Sequence, residues 1–225
     1  MTPHPLDNPI WASLSTLHRP LALASGQALR YPPQVAPFLG IPGGEPIAAG
    51  ELEPLVPQGD TALLLGPAPS APGGYQVEEL GLLSQLICEA PLPEVDGPPI
   101  VELGEARRRD ILELTALVYP HYFRPRTPEL GRYFGLFEGE RLAAMIGERF
   151  GAPGFREVSA VCTHPDFNGR GYARRLLAWL SNDNLKRGLT PFLHVSPKNS
   201  RAKEIYLQNG YRTRVEIAFW SLKRR

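Results

Sequence analysis

Most of the chain's 25 prolines fall within its first 99 residues, and no other feature limits the fold as strongly. Proline has no N–H to donate and collides with the preceding helical turn, so it excludes long helices wherever it recurs. Segments such as Tyr31-Pro32-Pro33, PAPSAPGG (67–74) and DGPPI (96–100) therefore cut the first half into short pieces. Short strands are expected at Thr61–Leu65 and Tyr75–Val77. The apolar run Leu80–Ile87 fits a strand or a buried helix, because periodicity does not separate the two over so short a span. PLPEVDGPP (91–99), with four prolines and a glycine, is the expected linker. The expected division is a proline-rich unit over residues 1–95 and a second unit over 99–225.

The second unit is regular. Pro99–Leu103 has strand character. Glu105 to Val118 places Ile111, Leu114 and Val118 on one helical face and is stopped by Pro120. Tyr133–Phe137 and Arg141–Phe150 flank Glu138-Gly139-Glu140, the pattern of a hairpin, and Glu157–Thr163 is a further apolar strand. Ala173, Leu176, Leu177 and Leu180 then recur at helical spacing, with Gly188 as the stop. Phe192–Val195 reads as a strand. Arg201 to Gln208 reads as a helix ended by Asn209-Gly210, and Arg212–Leu222 as a last strand. The order β-α-β-β-β-α-β-α-β is that of a mixed α/β layer.

Charge and composition exclude several classes. With 43% hydrophobic residues the chain has the material for a buried core. A formal charge of +1, from 24 Lys+Arg against 23 Asp+Glu, argues against a surface built for nucleic acid. No apolar stretch approaches the ~20 residues of a membrane-spanning helix. The start carries no secretory pattern, and two isolated cysteines, Cys88 and Cys162, fit a reducing compartment, so a cytoplasmic protein is expected. His4, His18, His121, His164 and His194 have no metal-ligand spacing with one another or with the cysteines, so no metal is expected.

One stretch asks for more than a turn. In THPDFNGRGYARRLL (163–177) two glycines stand just ahead of the helix. A strand-to-helix loop exposes N–H groups without intrahelical partners, and the helix dipole favours an anion there by roughly 0.3–1 kcal/mol. Gly169 and Gly171 let an anion approach the backbone, while Arg170, Arg174 and Arg175 add positive charge, so a pyrophosphate cradle is indicated. It is neither a P-loop, which needs Gly-x-x-x-x-Gly-Lys-Ser/Thr, nor the dinucleotide fingerprint, because Arg174 occupies the third glycine's place. A plain turn with incidental glycines is the competing reading of the loop taken alone.

The surroundings extend the pattern. VCTHPDFNGRGYARRLL, followed by PFLHVSPKNSRAKEIYLQNGYRTR, resembles the Gcn5-related N-acetyltransferase (GNAT) superfamily, most of all its FR47-like group, over residues 99–222. The resemblance rests on Gly171 and Ala173 of the loop, Asn199 opening the later helix, and Tyr206 followed by Asn209-Gly210-Tyr211. Asn168 departs from the Gln or Arg usual at the loop's first position. The family's phosphate contacts come largely from backbone, so this departure weakens cofactor binding without abolishing it.

The resemblance implies a GNAT acyl-CoA transferase fold, a mixed and mostly antiparallel sheet flanked by helices, with residues 1–95 as an N-terminal accessory domain that can be a degenerate copy of the fold. It implies acetyl-CoA as acyl donor, with no metal, and direct transfer to an amine acceptor in a protein that is a monomer or homodimer. The pantetheine arm would pair with Val161, Cys162 and Thr163. The pyrophosphate would sit on Asn168, Gly169, Arg170, Gly171, Tyr172, Ala173 and Arg174, with Asn199 also touching the cofactor. Tyr206 would protonate the leaving thiolate, against the plainer role of a core tyrosine. Glu157, eleven residues before Asn168, would be the base, against the plainer role of a solvated strand-end carboxylate. Glu148 and His194 are the other base candidates. A covalent acyl group on Cys162 is disfavoured, because buried thiols are inert. An acyl-CoA-binding regulatory protein without turnover is the alternative function.

Overall fold

The computed structural model describes residues 4–43, 46–118, 120 and 123–225. In chain order the first half contributes α1 (Pro9–Ser15), β1 (Leu23–Ser25), β2 (Ala28–Arg30), β3 (Leu39–Gly40), α2 (Ala49–Leu52), β4 (Thr61–Leu65) and β5 (Tyr75–Ile87). The second contributes β6 (Val101–Glu102), α3 (Arg108–Val118), β7 (Tyr133–Glu138), β8 (Arg141–Ala152), β9 (Phe155–Thr163), α4 (Tyr172–Lys186), β10 (Thr190–Val195), α5 (Ser200–Gln208) and β11 (Arg212–Arg224). The α/β order expected for the second half is the one observed. No described helix is long and apolar enough to cross a membrane.

β1, β2 and β3 make a small antiparallel sheet, and the other strands form one eight-stranded sheet in the order β4-β11-β5-β10-β9-β8-β7-β6. Every pair in the large sheet is antiparallel except β9 with β10. The expected linker does not divide this sheet. β5 lies before it in sequence, yet sits between β10 and β11, pairing Tyr75 with Arg224 at one end and Ile87 with Arg212 at the other. The run Leu80–Ile87 continues Tyr75–Val77 as one strand of 13 residues.

Alternation splits the core between two faces. On β10, Leu193 and Val195 join Leu86, Phe134, Leu136, Ile146 and Val158 beneath Leu176, Leu177 and Leu180 of α4. Phe192 points the other way, into Ile10 and Leu14 of α1, Tyr31, Phe150 and Ile217. On that second face α3 adds Ile111 and Leu114, which pack on Tyr133, Met145 and Cys162. Leu177 is 1% exposed. Its loss as Leu177→Ala would cost ~2–5 kcal/mol.

Candidate active site

The parallel pair at the centre of the sheet is short. Thr190, Pro191 and Phe192 of β10 register with Phe155, Arg156 and Glu157 of β9, and the pairing stops there. β10 continues along β5 to the pair Val195–Ser84, while β9 continues along β8 to the pair Thr163–Ala144. The strands therefore part after Glu157, and residues 158–163 turn an edge toward an opening.

A bulge lies along that edge. Cys162 pairs with Met145 and Ser159 with Gly147, so Ala160 and Val161 share the place opposite Ile146. Ala160 takes φ 51°, the only positive value among the described non-glycine residues. An alanine held there costs on the order of 1–3 kcal/mol, and bulges of this kind re-aim the backbone beside functional sites. Val161, Cys162 and Thr163, expected to pair with an extended ligand, lie at and just after the bulge.

The glycine loop follows. Asn168 ends a 3₁₀ turn over Pro165–Phe167. Gly169 and Gly171 have φ of 80° and 77°, and a Cβ on either would meet nothing within 4 Å. The backbone thus favours glycine while no described residue fills the space beside it. Gly171 is the N-cap of α4 and supplies no side-chain cap, so the first-turn N–H groups, including those of Tyr172, Ala173 and Arg174, receive none.

The arginines divide. Arg174 is exposed. Arg170 donates to Glu138 at 3.1 Å, and the Tyr172 hydroxyl donates to the same carboxylate. Arg175, expected as mobile charge for the cradle, donates instead to the carbonyls of Val95 and Pro98, tying the 95–98 segment to α4.

Asn199 caps α5, its Oδ1 accepting from the Ala202 N–H at 3.2 Å. Tyr206 packs partly buried on the α4-side core, its ring 6.0 Å from that of Tyr211. No residue of α5 is buried.

Glu157 is wholly buried and bound by four donors. Arg149 Nε and Nη2 each reach it at 2.8 Å, the Phe150 N–H at 3.1 Å and His194 Nδ1 at 2.7 Å. Burial pushes the carboxyl up, but the charge and hydrogen bonds of Arg149 and the bond from His194 outweigh it and hold it down at about 2. Glu148 is also buried but engages Arg132, which in turn pairs with Asp183 of α4 at 2.8 Å. Burial pushes the Cys162 thiol up to about 12 and the Cys88 thiol to about 11.

Among the described residues no group of three His, Cys, Asp or Glu side chains could hold a metal ion; His121 lies outside them. Two residues of the site went unread in the sequence. Arg149 and Gln85 each interrupt an apolar strand, and a polar side chain at an inward position was the available signal.

The geometry is that of a sheet opened between two parallel strands, with an uncapped glycine loop at the mouth and a fixed carboxylate at the apex. The FR47-like protein family matches residues 133–220. Among solved structures, a Novosphingobium aromaticivorans protein assigned as an acetyltransferase of the GNAT family superposes with a TM-score of 0.87 at 36% identity, over 99% of this chain and 100% of that one. A GCN5-related N-acetyltransferase from Kribbella flavida gives 0.59 at 17% identity, over 94% and 93% of the two chains. A GNAT-family acetyltransferase from Colwellia psychrerythraea gives 0.54 at 14%, over 66% and 57%. These last two share the fold. No curated protein matches the chain.

Proposed function

The chain belongs to the GNAT family of acetyltransferases, and from that premise we propose that it transfers an acetyl group from acetyl-CoA directly to a primary amine bound in the same complex. The observation that carries this reading is the parting of β9 and β10 after Glu157 beside the open glycine loop.

The residues present fit acetyl-CoA. Open space beside Gly169 and Gly171 and uncapped amides at the start of α4 suit a pyrophosphate. The edge of Val161, Cys162 and Thr163 suits an arm that adds to a sheet as an extra strand. Asn199 uses its Oδ1 on the helix, which leaves its amide nitrogen for the cofactor. When bound, acetyl-CoA supplies an activated thioester.

The protein's share of the chemistry is proton management and charge. Nitrogen bonds to the acetyl carbon as the C–S bond breaks, the sulfur takes a proton, and the new nitrogen cation loses one. Tyr206 gives the proton to sulfur, a role worth about 10²–10⁴-fold, and is reprotonated from solvent. Glu157 takes a different part from the base its spacing indicates. A carboxylate held at about 2 with four donors on it is a weak proton acceptor and a dependable anion. It favours the positive charge that grows on the attacking nitrogen, and that nitrogen's proton leaves to water. Thiols raised to about 11 and 12 are poor nucleophiles, which supports direct transfer over an acyl-cysteine route.

The test is thiol release from acetyl-CoA in the presence of amino acids, peptides, polyamines and aminoglycosides. Amine-dependent release with an N-acetylated product and intersecting initial-rate lines is expected. Parallel lines would replace direct transfer with an acyl-enzyme, and release with no amine would remove the reading.

A further inference from the structure

We propose that Gln85, contributed by the proline-rich half of the chain, is a positioning residue of the acyl-transfer site, acting through His194 on Glu157. The inference rests on reading the β9–β10 opening as that site.

Backbone pairing between β9 and β10 ends at Glu157 with Phe192. The next link is made by side chains, His194 Nδ1 lying 2.7 Å from Glu157 Oε1. His194 is 2% exposed at its side chain and Gln85 is fully buried, so water does not share in this link. Whether it forms depends on which imidazole nitrogen carries the proton, because a bare Nδ1 would set lone pair against lone pair.

The neighbours decide that. Gln85 Oε1 accepts from Arg214 Nε at 2.5 Å, and Gln85 Nε2 donates to the Leu6 carbonyl at 2.9 Å. A guanidinium cannot accept and a carbonyl cannot donate, so the carboxamide has one orientation. Its nitrogen therefore faces His194 Nε2 at 3.0 Å. Nε2 must be the bare acceptor, and Nδ1 must carry the proton it gives to Glu157.

The same placement excludes His194 as the proton acceptor for the amine. β5 and β9 flank β10 on opposite sides, so Nε2 is turned toward β5 and away from the opening. What Gln85 governs is the bridge across the apex and the aim of the Glu157 carboxylate. Arg149 and the Phe150 N–H hold that carboxylate from the other side. Arg214 in turn pairs with Asp7 at 2.5 Å, so the N-terminal segment braces the chain twice, through Leu6 and Asp7.

Two substitutions test this. Gln85→Leu removes the donor that faces Nε2. Gln85→Glu presents an acceptor there, which protonates Nε2 but leaves Nδ1–H on Glu157. Nitrogen-15 NMR of the imidazole in unliganded protein should show a neutral Nδ1–H tautomer in the wild type, both nitrogens protonated in Gln85→Glu, and a loss of the single Nδ1–H form in Gln85→Leu. With an amine that the wild type acetylates, Gln85→Leu should lower kcat by about tenfold or more, with KM for acetyl-CoA within about twofold. Gln85→Glu should keep more of the rate than Gln85→Leu, an order that a merely structural role would not give.

An Nε2–H tautomer in the wild type, or wild-type kcat in Gln85→Leu, would overturn the proposal. If Gln85→Leu does not fold, the wild-type tautomer and Gln85→Glu decide it. If the wild type acetylates no amine, the functional reading fails, and the tautomer still shows whether Gln85 sets His194.

Discussion

His194 on β10, two residues beyond Phe192, meets at 2.7 Å the Glu157 of β9 that closes the last backbone pair of the two strands. A side-chain bridge thus takes over where the ladder ends, and its charge has a measurable pH signature. The Glu157 carboxyl falls from an ordinary 4.5 to about 2 on folding. Between those values the unfolded chain binds the extra proton, so stability is fully present above about 4.5 and drains as pH falls through 2. Over the whole window the loss is roughly 3 kcal/mol. Urea midpoints of wild type and Glu157→Gln at pH 6, 4.5 and 3 check this. The variant should be the less stable at pH 6, by roughly 3–5 kcal/mol, and should lose less between 4.5 and 3. Parallel profiles would count against the assignment.

Gly171 combines two demands that substitution can separate. Its φ of 77° strains a residue with a Cβ, and the space beside it is open. Gly171→Asn tolerates the left-handed backbone and occupies the space; Gly171→Val adds strain of about 1–2 kcal/mol. Calorimetric titration should find acetyl-CoA binding weakened by about tenfold or more in both, with a lowered melting temperature chiefly in the valine variant. Wild-type affinity in Gly171→Asn would move the cradle elsewhere.

Tyr206→Phe keeps the ring that packs on the α4-side core and removes the hydroxyl. Turnover should fall by about 10²-fold or more while the dissociation constant for acetyl-CoA stays within about twofold. Unchanged turnover would leave Tyr206 a packing residue.

The regular half was legible because its signals are local. The apolar runs of β7 and β8 on either side of Gly139, the helical stripe Leu176–Leu177–Leu180 and the glycines at 169 and 171 each declare themselves within a few residues. β5 was not, for a physical reason. Leu80 and Leu82 are both 47% exposed and Gly81 stands between them, so that part of the strand has no inside-outside pattern to read. Gln85 and Arg149 acquire meaning only from His194, Arg214 and Glu157, and Gln85 lies more than a hundred residues from its ring partner. Their polar side chains in apolar strands were a signal that went unread, and only the pairing gives it meaning.

That long-range pairing builds the first half into the sheet. A fragment beginning at residue 96 would lack β4 and β5, leaving β10 and β11 without the strand that joins them. It would also bare Phe150, Phe192 and Ile217, which Ile10, Leu14 and Tyr31 now cover. Baring three such side chains forfeits ~1.5–3 kcal/mol each, a loss comparable with the lower part of the ~5–15 kcal/mol margin of a domain, and the loss of β5 adds to it. Residues 96–225 expressed alone should be insoluble, or soluble with no cooperative thermal transition and no acetyl-CoA binding. A fragment that melts cooperatively and binds acetyl-CoA would show that the second half closes its own sheet.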